Sequence, residues 1–368
     1  MKVIAFHLPQ FHTFPENDEW WGKGFTEWTN TKKSVPLFKG HYEPREPLND
    51  NYYCLLDREA MKWQIDLAKE YGIYGFCYYH YWFGDGKLLM EKPVEMFLED
   101  PSLDINFCIS WANETWSRRW NGSDQDYLIK QDYGDRSVWE KHFYYLLPFF
   151  KDKRYIYVDG KPLFVLYKPE IFPEYKEMFR MWNDLAVQNG LKGLSFGVQG
   201  AIWNNIEDVD DEMVDLRILY EPGFTTSQRH AKKGLRYGAV STALKLNRKI
   251  RKISVDMVSY EEVCRNIVRR KVFSPKLVPG FFVGWDNTPR KGTNGASFIG
   301  SDPKTFYKYF TRLVKKTREE YNKDMIFINA WNEWAEGCYL EPDKKYGYGY
   351  LEAVRQALIE NGEFGQES

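Results

Sequence analysis

Eight short apolar runs, near residues 3–8, 73–79, 105–111, 163–167, 194–199, 214–220, 278–284 and 325–331, recur along the 368-residue chain and restrict its fold more than any other feature. Most are apolar nearly throughout, the pattern of parallel strands covered by helices on one side and filled by side chains on the other. Helical periodicity lies between them. From Asp57 to Tyr71, Met61, Ile65 and Ala68 share a face, with Asp57 placed as an N-cap and Gly72 as a terminator. From Asp302 to Tyr321, an Asp-Pro start precedes Phe306, Phe310 and Leu313 at helical spacing. Eight strands alternating with helices predict an α/β fold, a single (β/α)8 TIM barrel over 1–368 with long loops at its C-terminal face.

Such a barrel gathers the C-terminal ends of its strands on one face, where active sites are built. Here the ends read His7 and Gln10, Tyr79-His80-Tyr81-Trp82, Trp111-Ala112-Asn113-Glu114, Tyr167-Lys168, Gln199, Tyr220-Glu221, Trp285-Asp286-Asn287, and Asn332-Glu333-Trp334-Ala335-Glu336. Any one strand ends in polar residues because a turn follows. Turn chemistry, however, favours Gly, Pro, Asn, Asp and Ser over the Trp, His, Glu and Gln found here, and a shared pocket accounts for them better. Residues 9–56, carrying Trp20, Trp21, Glu27, Trp28, His41, Tyr42 and Arg45, are too aromatic for disorder and are predicted to form a wall or lid. The segment 225–254 holds Arg229, Lys232, Lys233, Arg236, Lys245, Arg248, Lys249, Arg251 and Lys252 without an acid. It reads either as a solvated excursion or as a surface that meets an anionic polymer, phosphorylated lipid or membrane.

The last strand carries the sharpest chemical signal. Glu333 and Glu336, separated by two residues, stand beside Trp331 and Trp334. Acid/base chemistry on a sugar needs one protonated and one ionised carboxyl group near neutral pH, and closeness in an aromatic pocket drives their proton affinities apart. Indole faces also suit the C–H face of a pyranose ring. The plainer alternative is a helix start at which Glu complements the dipole. Aromatic content of 18%, with 14 Trp and 26 Tyr, fits carbohydrate, while a net charge of −1 argues against a nucleic-acid partner.

No apolar run reaches the roughly 18 residues of a membrane span. Met1-Lys2 leads straight into the first strand without a leader, and five cysteines lacking CxxC spacing read as reduced thiols, so a cytoplasmic location is predicted. Asp124-Gln125-Asp126 and Asp208-Val209-Asp210 have the form of a cation-binding triplet for a nucleotide sugar, a pattern that acidic segments often meet by chance. There is no phosphate-binding glycine loop, His-x-x-x-His pair or Gly-x-Ser-x-Gly elbow. Neither a cofactor nor a catalytic metal is predicted.

Leu8-Pro9-Gln10-Phe11-His12, Trp20-Trp21-Gly22-Lys23-Gly24-Phe25-Thr26-Glu27-Trp28, Tyr78-Tyr79-His80-Tyr81-Trp82, Trp111-Ala112-Asn113-Glu114, Gly284-Trp285-Asp286-Asn287 and Trp331-Asn332-Glu333-Trp334-Ala335-Glu336-Gly337 together resemble the WbsX-type family of bacterial polysaccharide gene clusters. That family is similar to glycoside hydrolase family 99, the endo-acting α-mannosidases and α-mannanases, most closely at the final strand. The resemblance implies a (β/α)8 enzyme that retains anomeric configuration through a 1,2-anhydro sugar. Glu333 would be the base toward the 2-hydroxyl, and Glu336 the general acid and later the base that activates water. The usual link between carboxylate separation and stereochemistry does not extend to substrate-assisted enzymes. Ala335 departs from the histidine common in family 99.

On this reading Glu336 is expected to be neutral at rest, through burial beside Trp334 and the charge of Glu333. Sugar contacts are expected from His7, Gln10, Glu27, Trp28, Tyr79, His80, Trp111, Asn113, Glu114, Gln199, Glu221, Trp285, Asn287, Asn332 and Trp334. The substrate would be a cell-surface polysaccharide or its precursor. A glycosyltransferase or transglycosylase in lipopolysaccharide or capsule assembly, and a non-catalytic carbohydrate-binding barrel, are the competing readings.

Overall fold

The computed structural model describes residues 1–84, 86–117, 127–200, 212–231 and 255–365. Parallel strands form where the apolar runs lie: β1 (Lys2–His7), β2 (Gly75–Trp82), β3 (Asn106–Trp111), β4 (Lys161–Leu166), β5 (Ser195–Gly200), β6 (Leu216–Leu219), β7 in two pieces (Leu277–Val278 and Gly280–Phe282), and β8 (Met325–Asn329). Sequential neighbours pair from β1 to β6, β8 pairs with β1, and β7 closes the ring. Its first piece pairs with β6 and its second with β8. Pro279 divides the two because it has no N–H for the ladder, while its carbonyl accepts from Phe327 N at 3.1 Å. The result is a (β/α)8 barrel whose sheet residues are almost all buried.

The described helices are α1 (Pro15–Trp21), α2 (Glu27–Lys33), α3 (Arg58–Glu70), α4 (Lys92–Glu99), α5 (Arg136–Phe150), α6 (Tyr175–Gln188), α7 (Gly223–Ala231), α8 (Tyr260–Arg269), α9 (Thr288–Lys291), α10 (Pro303–Glu319) and α11 (Gly349–Glu360). The two helices predicted from sequence have the predicted caps. Asp57 accepts from Glu59 N at 3.0 Å, and Asp302 from Thr305 N at 2.9 Å. α3 buries Met61, Ile65, Leu67 and Ala68, and α10 buries Phe306, Phe310, Leu313 and Val314. Each large side chain so covered contributes about 1.5–3 kcal/mol, enough to fix both helices against the barrel.

Between β1 and α3 the long connection folds as α1 and α2 and is tied back by Glu27 N to Gln10 O (3.1 Å) and Leu55 N to Phe11 O (2.9 Å). Both Asp-x-Asp triplets and the basic stretch from Lys232 to Ser254 lie outside the described residues, as does most of the connection from β5 to β6. Cys77, Cys108, Cys264 and Cys338 are buried free thiols, and Cys54 is exposed and free. Among the described residues no helix is long and apolar enough to cross a membrane.

Candidate functional site

After β8 the chain makes a tight hairpin. Asn332–Glu333 pairs antiparallel with Cys338–Tyr339, and a single 3-10 turn, Trp334–Glu336, joins them. Gly337 ends that turn at φ 58°, a left-handed conformation that favours glycine. Asn332 pins the hairpin to the end of β1. Its Oδ1 accepts from Leu8 N at 2.8 Å, and its Nδ2 donates to Leu8 O at 3.0 Å. Beneath the turn, buried Glu341 accepts from Trp334 Nε1 (2.6 Å), Gln64 Nε2 (2.7 Å) and Tyr53 Oη (2.9 Å). Burial nevertheless raises its proton affinity, to a pKa of about 7.

This hairpin delivers Glu333 and Glu336 to a cavity of about 460 Å³ at the C-terminal mouth of the barrel. Gln10, Trp21, Phe25, Glu27, Asn30 and Lys33 of the long first connection line one side. Tyr79 and Tyr81 of β2, Glu114 and Trp116 after β3, Tyr167 after β4, Tyr220 after β6, and Arg290 and Lys291 of α9 complete most of the wall. A larger surface cavity, about 560 Å³, lies on the outer side of the barrel between α3 and Tyr348, remote from the strand ends.

At the floor one guanidinium meets three carboxylates. Arg290 Nη1 donates to Glu336 Oε1 at 2.8 Å, and Nη2 is shared between Glu333 Oε2 at 3.3 Å and Glu27 Oε1. One cation among three acids leaves an excess of negative charge in a poorly hydrated place. Burial first, then the charge of Glu336, outweighs Arg290 and pushes Glu333 up to a pKa of about 8. Burial likewise raises Glu27 despite its pairing with Arg290. Glu336 is the more open of the two, its side chain 19% exposed against 9% for Glu333. Trp334, expected to bury Glu336, instead stacks on Tyr339 at 3.8 Å and points its indole N–H at Glu341.

Of the residues expected to touch substrate, Gln10, Glu27, Tyr79 and Glu114 line the cavity with the acid pair. The others do not line it. His80 faces α5, where its Nε2 lies 2.8 Å from His142 Nε2 and its ring stacks on Tyr145. Trp111, its register partner on β3, donates to Trp82 O at 3.0 Å and packs on His142. His7 turns toward α3, where its Nε2 donates to Gln64 Oε1 at 3.1 Å, and burial lowers its pKa to about 4. Trp28 donates to Tyr53 O at 2.8 Å and packs among Phe11, Tyr52 and Trp334.

Asn113 Oδ1 accepts from Lys168 N at 2.8 Å and its Nδ2 donates to Lys168 O at 2.9 Å, and Asn287 accepts from Ala296 N at 2.9 Å. Glu221 is held by Thr225 and by Arg270 Nη2 at 2.6 Å. Trp285 is half-buried against the core, and Gln199 is buried in β5. Asn332 and Trp334 serve the hairpin as described, and Ala335 is fully buried within it.

Tyr81, Tyr167 and Tyr220 belong to the strand ends predicted to share a pocket, and Trp21 and Phe25 to its predicted wall, although none of them was expected to touch substrate; Arg290 and Trp116 had no place in those expectations. A usable signal existed for the tyrosines. Successive strand side chains point to opposite faces, so Tyr79 and Tyr81 share the cavity face while His80 and Trp82 share the helix face. No motif marked Arg290.

Asp286 links α9 to the acid pair, since its N–H donates to Glu336 O at 2.6 Å. Its carboxylate accepts from His41 Nε2 (2.7 Å), Ser297 Oγ (2.6 Å) and Thr288 Oγ1 (2.6 Å). Although burial opposes ionisation, these donors and the charge of Arg45 hold it below the usual carboxylate range. His41, Glu43 and Asp286 are close enough to share a cation. Their atoms are instead taken up internally, for Glu43 also accepts from Ser34 Oγ at 2.6 Å and Arg45 Nε at 3.2 Å.

Comparison with known proteins agrees with this architecture. The chain is 36% identical over 361 residues to proteins described as uncharacterized protein WxcX from two strains of Xanthomonas campestris pv. campestris, a span of 97% of this chain and 49% of theirs. It therefore covers about half the length of these curated relatives. Among solved structures, the GH99 endo-alpha-mannosidase from Bacteroides thetaiotaomicron superposes with a TM-score of 0.57 at 16% identity, over 97% of this chain and 96% of that one. A protein described as glycoside hydrolase-like does so at 0.58 and 13%, over 97% and 93%. Likeness at such identities concerns the fold alone. The family described as Glycosyltransferase WbsX matches residues 3–354, and with the fold and strand-end motifs in agreement the chain belongs to that family.

Proposed function

We propose that this chain is a carbohydrate-active enzyme that acts on glycosidic bonds of a cell-surface polysaccharide or its precursor, with Glu333 and Glu336 as its acid/base pair. The observation that carries the reading is the placement of both carboxylates on one guanidinium at the floor of a cavity walled by Tyr79, Tyr81, Trp21, Trp116 and Phe25. Aromatic faces suit sugar C–H surfaces, and Gln10, Asn30 and the tyrosine hydroxyls suit sugar hydroxyls.

The chemistry requires one proton on the pair. In the empty site burial favours the neutral form of Glu333. A bound glycan alters that balance, since sugar over the more open Glu336 excludes water and favours its neutral form, while a 2-hydroxyl donating to Glu333 favours the carboxylate. Glu333 then withdraws the 2-hydroxyl proton as that oxygen attacks the anomeric carbon, and Glu336 protonates the departing oxygen. Water, activated by Glu336, opens the resulting 1,2-anhydro ring. Replacing water by an acceptor alcohol turns the same steps into transfer. The family's description favours that second reading.

Both are tested by incubating the protein with mannan-type oligosaccharides and with bacterial cell-surface glycans, with and without nucleotide sugars, and reading product masses. Shorter glycans without nucleotide sugar support hydrolysis, and redistribution of lengths supports transglycosylation. Lengthening that needs a nucleotide sugar would replace this mechanism, and binding without any product would overturn catalysis.

A further inference from the structure

Arg290 has no place in the sequence motifs, yet it contacts every acid at the cavity floor. Its partners come from two separate connections, Glu27 from α2 after β1, and Glu333 and Glu336 from the hairpin after β8, while Arg290 itself rides on α9 after β7. A structural ion pair matches one acid to one base. Here, among the described residues, three acids share one base, so with all of them ionised these four groups carry a net charge of two negatives, and taking up one proton relieves half of that. We propose that Arg290, anchored by Glu27, is a positioning residue that holds the Glu333–Glu336 pair at one shared proton. The inference rests on the acid/base role proposed for that pair.

Geometry supports it from both sides of Arg290. Asp286 fixes the start of α9 to the backbone of Glu336, so the guanidinium and the hairpin cannot drift apart. Glu27 draws Nη2 away from Glu333, which leaves Glu333 the weaker contact at 3.3 Å and the one more prone to keep a proton. Among the described residues, the other titratable groups that line the cavity do not supply this control. Tyr79, Tyr81, Tyr167 and Tyr220 are held neutral by burial, and Glu114 is paired with Lys168. Lys33 and Lys291 are exposed at the cavity lip, open to screening by water.

The test is a carbon-13 NMR titration of glutamate side chains in the substrate-free protein, with the Glu333 signal assigned by its loss in Glu333→Gln, followed by the pH profile of turnover. Glu27→Gln removes a negative charge while keeping an acceptor for Arg290. It is expected to move the Glu333 titration, and the alkaline limb of the profile, down by about one unit, a tenfold lower rate at a fixed pH beyond the limb. Arg290→Gln is expected to move both upward. Opposite shifts separate proton control from a bridge that merely stiffens the loop. An unmoved Glu333 signal in folded Glu27→Gln overturns the inference even if Arg290→Gln fails to fold. Since the titration needs no substrate, it stands or falls separately from the proposed function. If Glu333→Gln abolishes turnover while the titration is unmoved in Glu27→Gln, only this inference is lost, and if the signals move while Glu333→Gln remains active, only the catalytic assignment is.

Discussion

Glu333 ties the chemistry of the site to the stability of the fold. Its folded pKa of about 8 lies above the ordinary carboxylate value, 4.5. Below pH 4.5 it is protonated folded or unfolded and contributes nothing. As pH rises from 4.5 to 8 the unfolded chain releases a proton that the fold retains, so stability falls until the loss is complete above 8. Glu333→Gln cannot ionise and is expected to be more stable than the parent by a few kcal/mol at pH 8, on the order set by a shift of this size, and by far less at pH 5. Urea midpoints at the two pH values measure this, and equal gaps at both would refute it. Gly337 constrains the same turn. At φ 58° an alanine is strained, and its Cβ would lie 2.7 Å from Arg45 Nη2. Gly337→Ala is expected to cost about 1–3 kcal/mol and to lower activity by displacing both acids, read by thermal melting and turnover together.

Among the elements, β7 depends most on a single residue. Gly280 brings it against β6 so closely that a Cβ would sit 1.9 Å from Leu219 O. That carbonyl belongs to the sheet and has little room to yield. Gly280→Ala is expected to cost several kcal/mol through a shifted strand, seen as a large drop in melting temperature, and an unchanged melting point would contradict the described closure of the barrel. The pairing of β2 and β3 sets a different sensitivity. The two buried imidazoles between β2 and α5, His80 and His142, are held neutral, His80 at a pKa of about 3 and His142 also well below its usual value. The unfolded chain takes up these protons as pH falls below 6.5 and the fold does not, so each withdraws stability on acidification, about 2 kcal/mol by pH 5. His80→Gln is expected to shrink the loss in urea midpoint between pH 7 and pH 5, and an unchanged loss would count against it.

Over the whole molecule, the barrel was legible because continuous apolar runs and helical periodicity are local properties of sequence. The strands predicted near 73–79 and 325–331 appear as Gly75–Trp82 and Met325–Asn329. The break of β7 at Pro279 went unforeseen, as did the hairpin after β8. The acid pair was legible for the same local reason. Which neighbours share its cavity was less so, because composition names a strand end without saying which face a side chain takes. Adjacent Tyr79 and His80 were both assigned to the pocket, although a two-residue period allows only one of them to enter. Arg290 was invisible for a further reason. Its contact with Glu27 joins residues 263 positions apart, and no spacing rule reaches that far. The proposed function depends on two carboxylates performing acid/base work on a sugar. Its most direct test is the turnover of Glu333→Gln and Glu336→Gln, each folded by circular dichroism, on the glycan that the parent protein converts. Each is expected to lose at least about two orders of magnitude, and a near-parental rate in either would contradict the role given to that residue.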